Sequence, residues 1–130
     1  MDTGLFQRIL GLDAPQVMLS DDFKMVNRGA LAEMAVGLEL LKSEPSRSQA
    51  RLFCWRRENR QGNARVDYVI QRGADILPVE VKAGTSGAMQ SLRVFMREKG
   101  LKRGIRVSLE NFARMEDMDI YPVYAASQIK

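Results

Sequence analysis

Histidine does not occur among the 130 residues of this chain. Its absence removes imidazole zinc sites, Ser-His-Asp triads and every hydrolytic scheme built on a histidine base. Any hydrolytic chemistry then has to run on carboxylates, lysine, water and a hard cation. Cysteine occurs once, at Cys54, so no internal disulfide can form. That thiol lies in the run Leu52-Phe53-Cys54-Trp55, where a small buried hydrophobe is expected. Long apolar runs are missing too. The start, Met1-Asp2-Thr3-Gly4-Leu5-Phe6, lacks the basic and apolar stretches of a secretory signal. A cytoplasmic protein without a membrane partner is the expectation.

What is present suits one soluble globular unit. Apolar residues make up 45% and charged residues 28% of the chain, and the length is right for a single domain, residues 1–130. The 20 Lys and Arg outnumber the 16 Asp and Glu, a formal charge of +4 that is compatible with a polyanionic partner without requiring one.

Along the chain, Gly4 to Leu12 read as a short helix or lead-in stopped near Asp13-Ala14-Pro15. From about residue 22 to 43, Phe23, Val26, Ala30, Met34, Leu38 and Leu41 recur every three or four positions. This predicts a long helix, capped by Asp21 or Asp22 and ended by Glu44-Pro45. Strands are expected near residues 52–57, 65–72, 75–82, 104–109 and 120–124 from their β-branched and aromatic content. A second helix over about 86–99 would bury Met89, Leu92, Phe95 and Met96 and end at Gly100. The order α-β-β-β-α-β-β implies an α/β domain, a mixed central sheet of four to five strands flanked by helices. The crossover helix would make the third and fourth strands parallel.

The clearest chemical signal sits around Gly73. A two-residue turn at Gly73-Ala74, of type II′, pairs Arg72 with Asp75, so facing positions sum to 147 and Asp67 falls across from Glu80. Like charges facing each other destabilise a sheet unless a cation or a positive side chain lies between them. Glu80 and Lys82 share one strand face, while Leu77, Val79 and Val81 share the other. Two adjacent carboxylates suit Mg²⁺, which keeps several waters and takes few protein ligands. The same spacing also fits an exposed salt bridge without function. Glu33 is the only ionisable residue between Arg28 and Glu39, and a carboxylate in an apolar run needs a partner if buried. A metal or Lys82 would serve, and so would a partly exposed place on the helix rim.

These residues resemble a known family, the C-terminal domain of unknown function of bacterial and archaeal AAA-type ATPases, with a PD-(D/E)XK, restriction-endonuclease-like fold. The likeness runs through Gly29-Ala30-Leu31-Ala32-Glu33, Cys54-Trp55-Arg56, Val66-Asp67-Tyr68-Val69 and Pro78-Val79-Glu80-Val81-Lys82-Ala83-Gly84. It continues in Ser91-Leu92-Arg93-Val94-Phe95, Gly104-Ile105-Arg106-Val107-Ser108-Leu109 and Ile120-Tyr121-Pro122-Val123-Tyr124-Ala125. The resemblance implies a restriction-endonuclease-like core in which Asp67 and Glu80 hold Mg²⁺ or Mn²⁺, Lys82 positions or activates the attacking water, and Glu33 completes the acidic shell. Gln90 or Ser91 would contact substrate phosphate. Val66 stands where the motif's proline would be. No Gly-x-x-x-x-Gly-Lys-Ser/Thr loop occurs, so this chain is not expected to be the ATPase itself, and the resemblance implies the C-terminal fragment of a longer ATPase, or a stand-alone copy.

Three functions are then open. One is a metal-dependent nuclease acting on DNA. The second is a silent nucleic-acid- or protein-binding module regulating an attached ATPase, drawing on Arg47, Arg51, Arg56, Arg57, Arg60, Arg65, Lys99, Lys102, Arg103 and Arg106. The third is a homo-oligomer contact through Trp55 and Tyr121.

Overall fold

The computed structural model describes residues 21–43, 51–57, 63–84 and 88–129, with side chains in the first helix described from residue 28 onward. The expected lead-in helix, the Asp21 or Asp22 cap, the apolar positions Phe23 and Val26, the Glu44-Pro45 stop, Arg47 and Arg60 lie outside that description. Helix α1 spans Asp21–Lys42 and strand β1 Phe53–Arg56. Strands β2, Arg65–Arg72, and β3, Asp75–Val81, form a hairpin. Helix α2 runs over Gln90–Lys99. Strands β4, Gly104–Ser108, β5, Ala113–Arg114, and β6, Met118–Pro122, precede a 3-10 segment, Val123–Gln128. No helix among the described residues is long and apolar enough to cross a membrane.

The expected α/β architecture with a mixed sheet is what forms. The sheet has six strands in the order β1-β2-β3-β4-β6-β5, more than the four to five expected. Strands β3, β4 and β6 run parallel, and the other pairings are antiparallel. The extra strand β5 is two exposed residues long, too short to leave an alternating pattern. The last strand ends at Pro122 rather than Tyr124, because Val123 begins the 3-10 segment.

The hairpin follows its turn chemistry. Gly73 has φ +60° and Ala74 stays at negative φ, as a type II′ turn requires. The ladder then pairs Arg72 with Asp75 and continues to Tyr68 opposite Val79. Proline in a central strand is unusual because it cannot donate to a ladder. Here Lys82 donates its N–H toward β4, to the carbonyl of Val107 at 2.8 Å. By the two-residue alternation Pro78 lacks its N–H on that same edge, one step before pairing with β4 begins at Val79 and Ile105. No sheet bond is forfeited.

Two apolar clusters sandwich the sheet. On one face Val36 and Leu40 of α1 pack with Ile70, Leu77, Val79, Val81, Ile105, Val107, Ala126 and Ile129. On the other, Met89, Leu92, Phe95 and Met96 at α2 pack with Val66 and Met118. Those four α2 positions are the ones its periodicity marked, and Gly100 closes the helix in the left-handed conformation at φ 65°. The buried stripe of α1 is not the expected one. Ala30, Met34, Leu38 and Leu41 are only half-buried, whereas Val36, Gly37 and Leu40 are buried. This helix is apolar on nearly every side, so periodicity alone fits several stripes. Gly37 decides among them: a Cβ there would lie 2.7 Å from Tyr68 Oη, so only glycine lets β2 come this close. Cys54, expected to be buried, is exposed, because β1 is the edge strand and turns that side chain outward. Its neighbour Trp55 is half-buried edge-on against Phe95, with ring centroids 5.0 Å apart.

Candidate functional site

Strand β2 carries one more residue than the stretch of β1 facing it. Phe53 pairs with Val69 and Trp55 with Val66, so Asp67 and Tyr68 together oppose Cys54. This is a β-bulge, a device that re-aims side chains by breaking alternation. Val66 and Val69 consequently both face α2, while Tyr68 and Ile70 face α1. The regular ladder to β3 stops at Tyr68 and Val79, one pair short of Asp67 and Glu80. Asp67 meets β3 through its side chain instead: Oδ2 accepts the N–H of Val81 at 2.9 Å. The carboxylate replaces the carbonyl that a continued ladder would have supplied, and this fixes it beside the end of β3.

Glu80 projects from the opposite face of β3 to Val79 and Val81, with Lys82 on its own side. Lys82 Nζ donates to Glu80 Oε1 at 2.8 Å. Glu80 is only 7% exposed, so an exposed surface salt bridge does not describe it. Its second oxygen, Oε2, is buried and has no hydrogen-bond partner. Burial pushes the Glu80 carboxyl above its ordinary pKa, the hydrogen bond from Lys82 pulls it back, and the charge of Asp67 pushes it up again. Asp67 and Glu80 are therefore close enough to feel each other.

Glu33 reaches this site through Arg65, which in the sequence is one of a run of basic residues. Arg65 Nη2 donates to Glu33 Oε2 at 2.7 Å and to Asp67 Oδ1 at 3.0 Å. Tyr68 Oη donates to the backbone carbonyl of Glu33 at 2.8 Å, pinning the α1 turn that carries it. The charge of Glu33 foremost, with Asp67, holds the Arg65 pKa above its ordinary value, partly offset by desolvation. Burial, then Glu33, raises that of Tyr68. Asp67, Glu80 and Lys82 lie at the same end of the hairpin, though Asp67 and Glu80 are not the directly facing ladder pair that the turn register implies, and Glu33 is linked to Asp67 through Arg65. The clue to Arg65 was its position two residues before Asp67, at the start of the same strand. Gln90 is the exposed first residue of α2 and Ser91 follows it half-buried, with no side-chain cap bond at that helix end.

Several of the cations singled out in the sequence take part in ion pairs. Arg57 pairs with Glu98 at 2.6 Å, Arg103 with Asp119, and buried Arg106 with Glu110 at 3.2 Å. Arg106 sits directly beside Glu80 in the β3–β4 register. Among the described residues no three carboxylate, cysteine or histidine side chains converge as a ready metal cage. Two do approach, and one of them keeps an oxygen in reserve.

The protein is therefore an α/β domain with a bulge-anchored acidic pair at the end of a hairpin. It belongs to the family described as a domain of unknown function, DUF4143, which matches residues 28–125. That span includes every residue of the site. Neither the curated proteins nor the solved structures contain a match to it.

Proposed function

We propose that the domain is a restriction-endonuclease-like, divalent-metal-dependent nuclease acting on DNA phosphodiesters. The observation that carries this reading is Glu80: a buried carboxylate with one oxygen on Lys82, the other without a partner, and a second carboxylate close by. An oxygen left bare in the interior is costly unless something binds it. Mg²⁺ or Mn²⁺ suits these oxygens, since hard cations take carboxylate ligands and Mg²⁺ is content with one or two of them. Asp67 and Glu80 would hold it. When bound, such an ion supplies positive charge against the developing charge on phosphorus.

The chain's own groups supply the rest. Lys82 is half-buried and directed by Glu80, so it can orient a water and offset charge on it. Val81 N–H fixes Asp67 through Oδ2. Without an ion, Arg65 pairs with both Asp67 and Glu33. Gln90 and Ser91 are the candidates for a phosphate contact. An association with an AAA-type ATPase domain rests on the resemblance in sequence.

The test is incubation of the purified chain with supercoiled, linear and branched DNA in Mg²⁺ or Mn²⁺. Cutting is expected, with Glu80→Ala slower by on the order of a hundredfold or more. Equal cutting by that variant, or intact DNA throughout, ends the reading. One observation favours the alternative, a catalytically silent binding module regulating its ATPase: Arg65 already pairs with both Glu33 and Asp67 and offsets part of their charge. DNA affinity that falls steeply with salt but needs no divalent ion would select it.

A further inference from the structure

One nitrogen does two jobs at the rim of the acidic pair. Arg65 Nη2 alone bonds both Glu33, at 2.7 Å, and Asp67, at 3.0 Å. A two-nitrogen fork onto a single carboxylate would be stronger and more rigid. The arginine side chain is 56% exposed, whereas the Asp67 side chain beneath it is 8% exposed. A long, solvated cation thus lies over a buried anion and ties down a further carboxylate, Glu33. The Arg65–Glu33 half of this bridge is exposed on both sides, at 56% and 36%, so it is weak and easily exchanged. Beside them the bare, buried Oε2 of Glu80 marks a place for a ligand that the arginine does not fill.

We propose that Arg65 is an internal counter-cation for Asp67 and Glu33, and that a divalent ion reaches the acidic pair by displacing it. This rests on the reading that Asp67 and Glu80 hold such an ion. Displacement does two things at once: it uncovers Asp67, and it frees Glu33 to turn from the guanidinium to the cation. The released guanidinium stays at the rim, where it can pair with an incoming phosphodiester. Arg65 sets the affinity for the ion and is a positioning residue, not a catalytic one.

Calorimetric titration of the full chain with Mn²⁺ tests this independently of any DNA. Arg65→Gln is expected to bind about fivefold more tightly than the wild type, the most an exposed ion pair of this kind is worth. Arg65→Lys keeps the charge and is expected to stay near the wild type. On the unmodified chain, Mg²⁺ should speed hydrogen exchange at the Arg65 guanidinium, followed by side-chain NMR, so the test survives even if Arg65→Gln does not fold. Unchanged affinity in Arg65→Gln overturns the proposal, as does a guanidinium indifferent to bound Mg²⁺, or no ion binding in any form. A tighter variant that leaves all DNA intact supports the displacement and removes the nuclease reading. A wild type that cuts, beside an Arg65→Gln of unchanged affinity, does the reverse.

Discussion

Two acidic residues of this sheet are almost equally buried and handled in opposite ways. Asp119 on β6 is 6% exposed, and both its oxygens are taken: Arg114 Nε binds Oδ1 at 2.9 Å and Arg103 binds Oδ2. Glu80 on β3, as deeply buried, has Lys82 on one oxygen and nothing on the other. A carboxylate whose work is structural is saturated with donors, because each unmet oxygen costs free energy. One left short either weakens the fold for no return or awaits a ligand. The contrast, more than the Glu-x-Lys spacing, sets the β3 site apart from ordinary ion pairing.

The comparison can be broken at its structural end first. Removing both cations, Arg103→Ala with Arg114→Ala, leaves Asp119 buried and uncompensated, and about 3 kcal/mol of stability should be lost in urea unfolding. A loss under about 1 kcal/mol would mean that water reaches Asp119 and that it is no saturated structural pair.

Gly37→Ala comes next and strikes the support of the β3 end. The new Cβ would meet Tyr68 Oη at 2.7 Å. Overpacking of this kind costs about 2 kcal/mol, and Tyr68 should lose its bond to the Glu33 carbonyl. Thermal unfolding and the tyrosine absorbance titration would report both effects.

The smallest change carries the sharpest sign. Glu80→Gln should stabilise the protein at neutral pH by about 1 kcal/mol, since a neutral side chain avoids the cost of a buried charge. Because burial raises the Glu80 pKa in the fold, the folded chain holds that proton more tightly than the unfolded one, whose value is near 4.5. The penalty is therefore full above the folded pKa and fades as pH falls through it toward 4.5. The gain from Glu80→Gln should shrink in the same window, read from denaturant midpoints across pH. A variant less stable than the wild type at pH 7 would place Glu80 with Asp119 as a structural acid.

Much of the hairpin was legible beforehand because its determinants are local. Gly73 permits one turn, the turn fixes the register, and the register brings the acid of β3 toward that of β2. The α2 stripe was legible for the same reason, with polar residues between its four apolar ones. The α1 stripe was not, since that helix offers apolar residues on most sides and the choice fell to Gly37 and Tyr68. The exposure of Cys54 is not legible in the sequence, because an edge strand and a central one can share the same composition. Arg65 looked like one more basic residue until Glu33, 32 positions away, was folded against it.

By itself the sequence determined the order of the main helices and strands, the turn, and a supply of carboxylates and lysine without histidine, all properties of residue type and short spacing. Tertiary structure alone decided the bulge that turns Asp67 onto Val81, the burial of Glu80 and the bridge from Arg65 to Glu33. Each of these depends on which distant strand or helix comes to lie alongside, and on how much water that approach removes.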